Sequence, residues 1–312
     1  MKIKKETNPN NMPVAADAYL YSSETANDQP LASCGLWWSN TPALEGKKVA
    51  ALGAYQAQSR DAASQLLSEA LEQLKNVDCS MVIGPMNGDT WHSYRLMTEA
   101  GDEPPFLMEP WNPTEWPQDF LDAGFRPLTT YFSARTNDLT TRDSRIPKVQ
   151  ARLEANGIRI RPFRLEEFEA ELDRIFDVSL ASFPANYLYT PISREEFHRL
   201  YLPAKPLVHP QLVLIAEQGD EPVGYVFALP NAKPGSDQMP SDIIVKTLAV
   251  RPGRAYAGLG AWLLDEVHTY AHQLGFRSAI HALMHENNNS LNLSGRSSTI
   301  IRRYTLYFHS LA

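Results

Sequence analysis

The chain has 312 residues, 43% hydrophobic and 21% charged, with 36 acidic against 29 basic side chains and a net charge of −7. That length exceeds one small core and suits two domains of ordinary size in a globular protein. The negative balance argues against nucleic acid as a partner, and Arg302-Arg303 and Arg159/Arg161/Arg164 read as solvated surface charge.

In chain order, a polar stretch leads to a short strand at residues 18–21, then strands at 31–38 and 48–55 separated by the turn signals Thr41-Pro42 and Gly46. Apolar residues at 62, 63, 66, 67, 70, 71 and 74 form one stripe and predict a helix over 61–74. A buried strand follows from Cys79. Asn87-Gly-Asp-Thr90 then reads as a turn and cap ahead of a short helix over 91–97. After Pro104-Pro105 come a strand at 106–109, a helix near 117–123 and a strand at 128–134. Residues 136–156 are polar and weakly patterned, and the domain boundary is expected there, between 1–140 and 155–312.

The second stretch opens with an alternating strand at 158–163, then helices at 165–182 and 193–201. Strands at 212–217 and 222–228 flank Gly219-Asp220, a hairpin signal. A strand at 243–250, a helix at 258–274, a strand at 278–284, a helix beginning near Ser290 and a strand at 304–308 complete the chain. Strand 49–55, helix 61–74, strand 79–84 and Asn87-x-x-Thr90 repeat in strand 243–250, helix 258–274, strand 278–284 and Asn287-x-x-Ser290. An internal duplication accounts for that agreement.

One copy has the makings of an anion cradle. Strand 243–250 breaks at Arg251-Pro252-Gly253 and enters its helix through Gly258 and Gly260. First-turn amides of such a helix are unpaired, and the positive end of its dipole lies behind them. In the other copy the matching positions fall near Asp61 and Ala63, where a carboxylate would repel a phosphate. A dinucleotide fold lacks its third glycine here, and a Walker loop lacks Gly-Lys-Ser/Thr.

His268 and His272 stand four apart on the cradle helix, but the helical wheel places both on the solvent face and no metal site is expected. Trp37-Trp38, Trp111 and Trp116 read as packing residues rather than a ligand groove. Cys34 and Cys79 have no metal-ligand spacing and fit a reduced compartment. The N-terminal residues lack an apolar targeting core and no run is long enough to cross a bilayer, so a cytoplasmic protein off the membrane is expected.

A strand ending Leu248-Ala-Val-Arg-Pro252, followed by Gly258-Leu-Gly260 and an amphipathic helix, resembles the central motif of the GNAT acetyltransferase superfamily. The order of elements over 158–312 matches that fold, and 18–134 resembles a second, degenerate copy. The resemblance implies an α/β protein of two tandem domains, each a mixed, mostly antiparallel sheet flanked by helices. It implies acetyl-CoA as acyl donor, with the pantetheine arm along Leu248, Ala249 and Val250. The diphosphate would lie on Tyr256, Ala257, Gly258, Leu259, Gly260 and Ala261, helped by Arg254, and Asn287 and Ser290 would complete the cofactor site. It further implies a primary amine, on a small molecule or peptide, as direct acceptor.

Two positions depart from the family pattern: Ala255 stands where Gln or Arg is usual, which would weaken the cradle, and Ser294 stands where a Tyr proton donor is often found. His285, at a strand end near the expected acetyl group, and Tyr304, with Tyr307 on the same final strand as its alternative for proton donor, are the catalytic candidates. Two other readings keep the fold: an acyl-CoA sensor without turnover, and a mycothiol-synthase-like or aminoacyl-type transferase.

Overall fold

The computed structural model describes residues 2–7, 15–26, 29–232, 239–287 and 298–311. Thirteen strands join in one sheet: β1 Ile3–Thr7, β2 Ala18–Ser22, β3 Ala32–Trp37, β4 Ala50–Ala57, β5 Met81–Gly84, β6 Leu96–Glu99, β7 Arg126–Thr136, β8 Ile158–Pro162, β9 Val213–Gln218, β10 Glu221–Pro230, β11 Asp242–Val250, β12 Ser278–His285 and β13 Ser298–Ser310. Among the described residues six α-helices pack on it: α1 Arg60–Leu74, α2 Trp116–Asp122, α3 Ile146–Ala155, α4 Phe168–Ser182, α5 Arg194–Tyr201 and α6 Leu259–Gln273. The architecture is the mixed α/β sheet with flanking helices that the sequence implies.

Each helix forms where its apolar spacing gives it a face to bury. Ser59 caps α1, its hydroxyl accepting from Ala62 N at 3.3 Å, and Ala62, Ala63, Leu66, Leu67, Ala70 and Leu74 pack on β3 and β4. α6 buries Leu259, Trp262, Leu263, Val267 and Ala271 on β10 and β11. α4 and α5 cover the opposite face of the same strands through Leu172, Ile175, Phe176 and Phe197.

The strands run β1-β2-β3-β4-β5-β13-β7-β12-β11-β10-β9-β8, with β6 beside β13. Among the described residues β4–β5 and β11–β12 are the two parallel pairs, and the rest of the ladders are antiparallel. The two halves thus exchange strands. β7 follows the first helices yet pairs with β12 (Tyr131 opposite His285), while the last strand, β13, pairs with β5 and β6. Trp37, Tyr131, Leu188, Tyr304 and Leu306 fill the core at this junction.

Two expectations fail locally. Residues 91–97 are not a helix. The Asp89 carboxylate accepts from Trp91 N (2.8 Å) and His92 N (3.3 Å), holding a turn that leads through Arg95, at φ +70°, into β6. Residues 106–109 are a turn rather than a strand. Glu109 N donates to Phe106 O (3.1 Å), the Glu109 carboxylate accepts from Phe106 N (3.1 Å), and Pro104, Pro105 and Pro110 deny ladder donors on either side. The weakly patterned 136–156 stretch contains α3, whose buried residues are Ile146 and Leu153 alone, too few to show as a stripe.

Candidate active site

A parallel pair of strands can stay in register only while both keep the same twist and residue count. The β11–β12 ladder runs from Asp242–Ser278 to Val245–His281 and stops. At that point β11 carries a bulge: Phe227 of β10 faces Thr247 and Ala228 faces Val245, so Lys246 has no partner. β12 slips against β7 nearby, where Leu283 adopts φ +59° and donates its N–H to Ser133 Oγ at 3.1 Å. Beyond Val245, β11 therefore has an edge without a ladder to β12, while β10 holds its other edge as far as Val250.

A cleft of about 1000 Å³ opens there, and both halves of the chain line it. Leu248, His285 and Asn287, singled out in the sequence, are in its wall; Ala249 and Val250 continue β11 beyond it. Arg254, Tyr256, Ala257, Gly258, Leu259, Gly260 and Ala261 lie past the end of β11, in a 3-10 turn at 254–256 and the start of α6. Gly258 is the N-cap, at φ +85°, and no side chain caps the helix, which leaves its first-turn amides open to an anion. Glycine is required for a second reason: a Cβ there would stand 2.8 Å from Val149 Cγ1 of α3. An open strand edge leading to an uncapped, glycine-entered helix fits an extended ligand with an anionic end. Ser290 and Ser294, with the helix expected near them, lie outside the described residues.

His285 is half-buried, edge-on to Tyr131 and tilted against Tyr187. Asn287 N donates to its Nδ1 (3.2 Å), which assigns the proton to Nε2, facing Thr129 Oγ1 at 2.8 Å. Burial pushes its pKa down; Glu286 opposes this and the Arg95 charge adds to it, so the ring is neutral near pH 7. Tyr304 is placed differently. It is 0% exposed in the junction core, off the cleft, with its hydroxyl donating to Glu109 and 3.1 Å from Ser133 Oγ. Burial and Glu109 raise its pKa, so the expected role as proton donor is corrected: β13 faces the first half, and this hydroxyl is already committed.

His268 is not on a solvent face. Its ring sits edge-on to His281 at 5.4 Å, and Arg142 of the 137–145 connection lies over α6, bonded to Asp265 and Thr269. His272 is exposed. Among the described residues no group of three or more His, Cys, Asp or Glu is placed to hold a metal.

The sequence reading missed Lys246 and Arg95. Lys246 interrupts the apolar run Ile243-Ile-Val-Lys-Thr-Leu248, and that charge inside a buried strand was its signal. Arg95, 8% exposed, lies over the rings of Tyr94 (3.9 Å) and Tyr131 (4.2 Å) and donates to Leu283 O at 3.3 Å. Nothing local marks it. Its place follows from the turn at 89–95 and the strand exchange.

The matching splay in the first half is filled. The β4–β5 ladder is also short, from Ala50–Val82 to Ala51–Ile83. Past it, Met86 N donates to Leu52 O (2.7 Å) and Asn87 Oδ1 accepts from Ala54 N (2.6 Å). This approach needs Gly53, where a Cβ would stand 2.3 Å from Met86 O. What remains is a pocket of about 130 Å³.

Residues 172–295 match the model of the Acetyltransferase (GNAT) family. No curated protein matches the sequence. Among solved structures the chain is similar to the GCN5-related glucosamine N-acetyltransferase region of a fungal multi-domain GH3 β-N-acetylglucosaminidase (TM-score 0.55, 15% identity, 94% of this chain and 32% of that one). It is also similar to a GCN5-related N-acetyltransferase from Sphaerobacter thermophilus (TM-score 0.53, 13% identity, 94% and 80%) and to a tandem GNAT protein from the clavulanic acid biosynthesis pathway (0.50, 11%, 95% and 82%). The chain spans about a third of the fungal protein's length. At these identities the likeness is one of fold, and it extends over both halves. Among the described residues no helix is long and apolar enough to cross a membrane.

Proposed function

We propose, from the match of residues 172–295 to the Acetyltransferase (GNAT) family model, that the chain is an N-acetyltransferase using acetyl-CoA on a primary amine. The observation that carries the reading is the unpaired β11 edge beside the uncapped Gly258 helix end, opening on a 1000 Å³ cleft. Main-chain groups of Leu248, Ala249 and Val250 would hold the pantetheine arm as a strand edge holds a peptide, and the amides of Tyr256–Ala261 would hold the diphosphate. Acetyl-CoA supplies the acyl thioester. Residues 1–140 act as scaffold and acceptor wall, since the first-half splay is plugged by Met86 and Asn87.

His285 is the proton acceptor in this scheme. Its neutral ring faces the cleft, and taking a proton on Nδ1 means giving up the 3.2 Å bond from Asn287, which costs about 0.5–1.5 kcal/mol. The reading is tested by titrating acetyl-CoA and then measuring free coenzyme A released with a panel of primary amines. Binding with amine-dependent release is expected. Binding without release would make the chain an acyl-CoA sensor, and absence of binding would sink both readings. His285→Gln should cut kcat/KM for the amine by roughly 10²-fold or more, with the acetyl-CoA Kd little changed.

A further inference from the structure

Among the described residues, two cations share the cleft without a carboxylate paired to either. Lys246 is put there by the β11 bulge, half-buried, and among the described residues its ammonium reaches only the Met108 thioether, at 3.6 Å. Arg95 enters from the first half, stacked on Tyr94 and Tyr131; its Nε is buried with no hydrogen-bond partner among the described residues. Neither forms an ion pair among the described residues. The acidic groups nearby are otherwise engaged. Glu109 in the cleft wall is bonded to Arg302, both side chains fully buried, so Arg302 is not the solvated charge that its sequence suggests; Asp89 holds His92; Glu286 accepts from Thr130. Glu196, also beside His92, is 3.8 Å from its Nε2.

Burial, and then the charge of Arg95, push the Lys246 pKa down, so the two cations feel each other across the cleft. Paired or ligated charge is the rule in such surroundings, and an anion between them would relieve both desolvation and repulsion. Around them stand Trp91, Phe183, Tyr187 and Tyr189, an apolar wall.

We propose that the acceptor is an amine that also bears a compact oxyanion, a carboxylate or phosphate, bound between Arg95 and Lys246 with its apolar body against the aromatic wall. This rests on the acyltransferase reading for calling the ligand an acceptor. The diphosphate of the donor has its own place at the Gly258 helix end, outside the cleft wall. A guanidinium fork and an ammonium together suit an oxyanion held by several charge-assisted hydrogen bonds.

The test is calorimetric titration of matched pairs: L-phenylalanine and phenethylamine, L-leucine and isoamylamine, L-lysine and cadaverine, phosphoethanolamine and ethanolamine. In at least one pair the anionic member should bind at least about tenfold more tightly. Lys246→Met should reduce that preference to within about threefold and Lys246→Arg should keep it, with thermal unfolding confirming that both variants are folded. The carboxylate and phosphate pairs tell the two anions apart.

Equal binding within every pair, binding of neither member, or a preference unchanged in Lys246→Met would each overturn the proposal. So would a loss in Lys246→Met confined to coenzyme A, which would assign the cations to the donor's phosphates. A separate acetyl-CoA titration keeps the two readings distinguishable: its failure sinks acyl transfer, while the anion preference is read without turnover.

Discussion

The histidine pair beneath the cleft shows what burial does to a single titratable group. His281 is buried and bonded through Nε2 to Thr136 Oγ1 at 3.2 Å, while the Nε2 of His268 is buried with no partner among the described residues. Burial holds both neutral, taking His268 from the ordinary 6.5 to about 4, with Arg142 adding to the effect, and His281 to about 3, with His268 adding to it. Below pH 6.5 the unfolded chain takes up protons that the folded chain refuses. Stability is therefore complete above that pH and is lost as pH falls toward 4 and 3, at up to about 1.4 kcal/mol per unit for each ring. His268→Phe keeps an aromatic edge against His281 and removes one of these protons. Denaturant unfolding at pH 7 and pH 5 should show the variant losing about 1–2 kcal/mol less than the parent over that interval. Equal losses would mean that His268 is protonated in the folded state.

At the level of elements, α6 depends on one residue for both its entry and its packing. Gly258 holds a left-handed conformation and lets α3 approach to where a Cβ would overlap Val149. Gly258→Ala should cost about 1–3 kcal/mol in unfolding experiments and weaken acetyl-CoA binding. Val149→Ala in the same chain should recover only the part due to overlap, and full recovery would show that the backbone conformation carries no strain. The strand–turn–helix geometry around Gly258 was legible in the sequence because its information is local: a strand pattern, a break, two glycines and an apolar stripe. α1 and the hairpin at Gly219-Asp220 were legible for the same reason. The turns at 89–95 and 106–109 were not, since side-chain carboxylates of Asp89 and Glu109 hold them against the apparent pattern. The bulge at Lys246 is a matter of register between strands, which a single strand's sequence does not record.

At the scale of the whole molecule, the duplication is visible in the sequence but the exchange of strands is not. β7 and β13 each read as a final strand, and nothing in either states which half it completes. In the structure β13 has all of its ladder partners, β5, β6 and β7, within residues 1–140, and β7 supplies the outer neighbour of β12. The exchange places Tyr131 against His285, and the connection between β5 and β6 brings Arg95 into the cleft, so both halves line it. A fragment of 141–312 alone would leave β13 unpaired and one side of β12 open, and a fragment of 1–140 would lack the strand between β5 and β7. Exposed strand edges with apolar faces aggregate rather than persist. Expressed separately, the two fragments should therefore be insoluble or unfolded by circular dichroism. Expressed together, they should co-purify as a one-to-one complex with the spectrum of the intact chain. A monomeric, folded 141–312 that binds acetyl-CoA would show that β13 can turn back onto β12, making the exchange dispensable and the second half a self-sufficient domain.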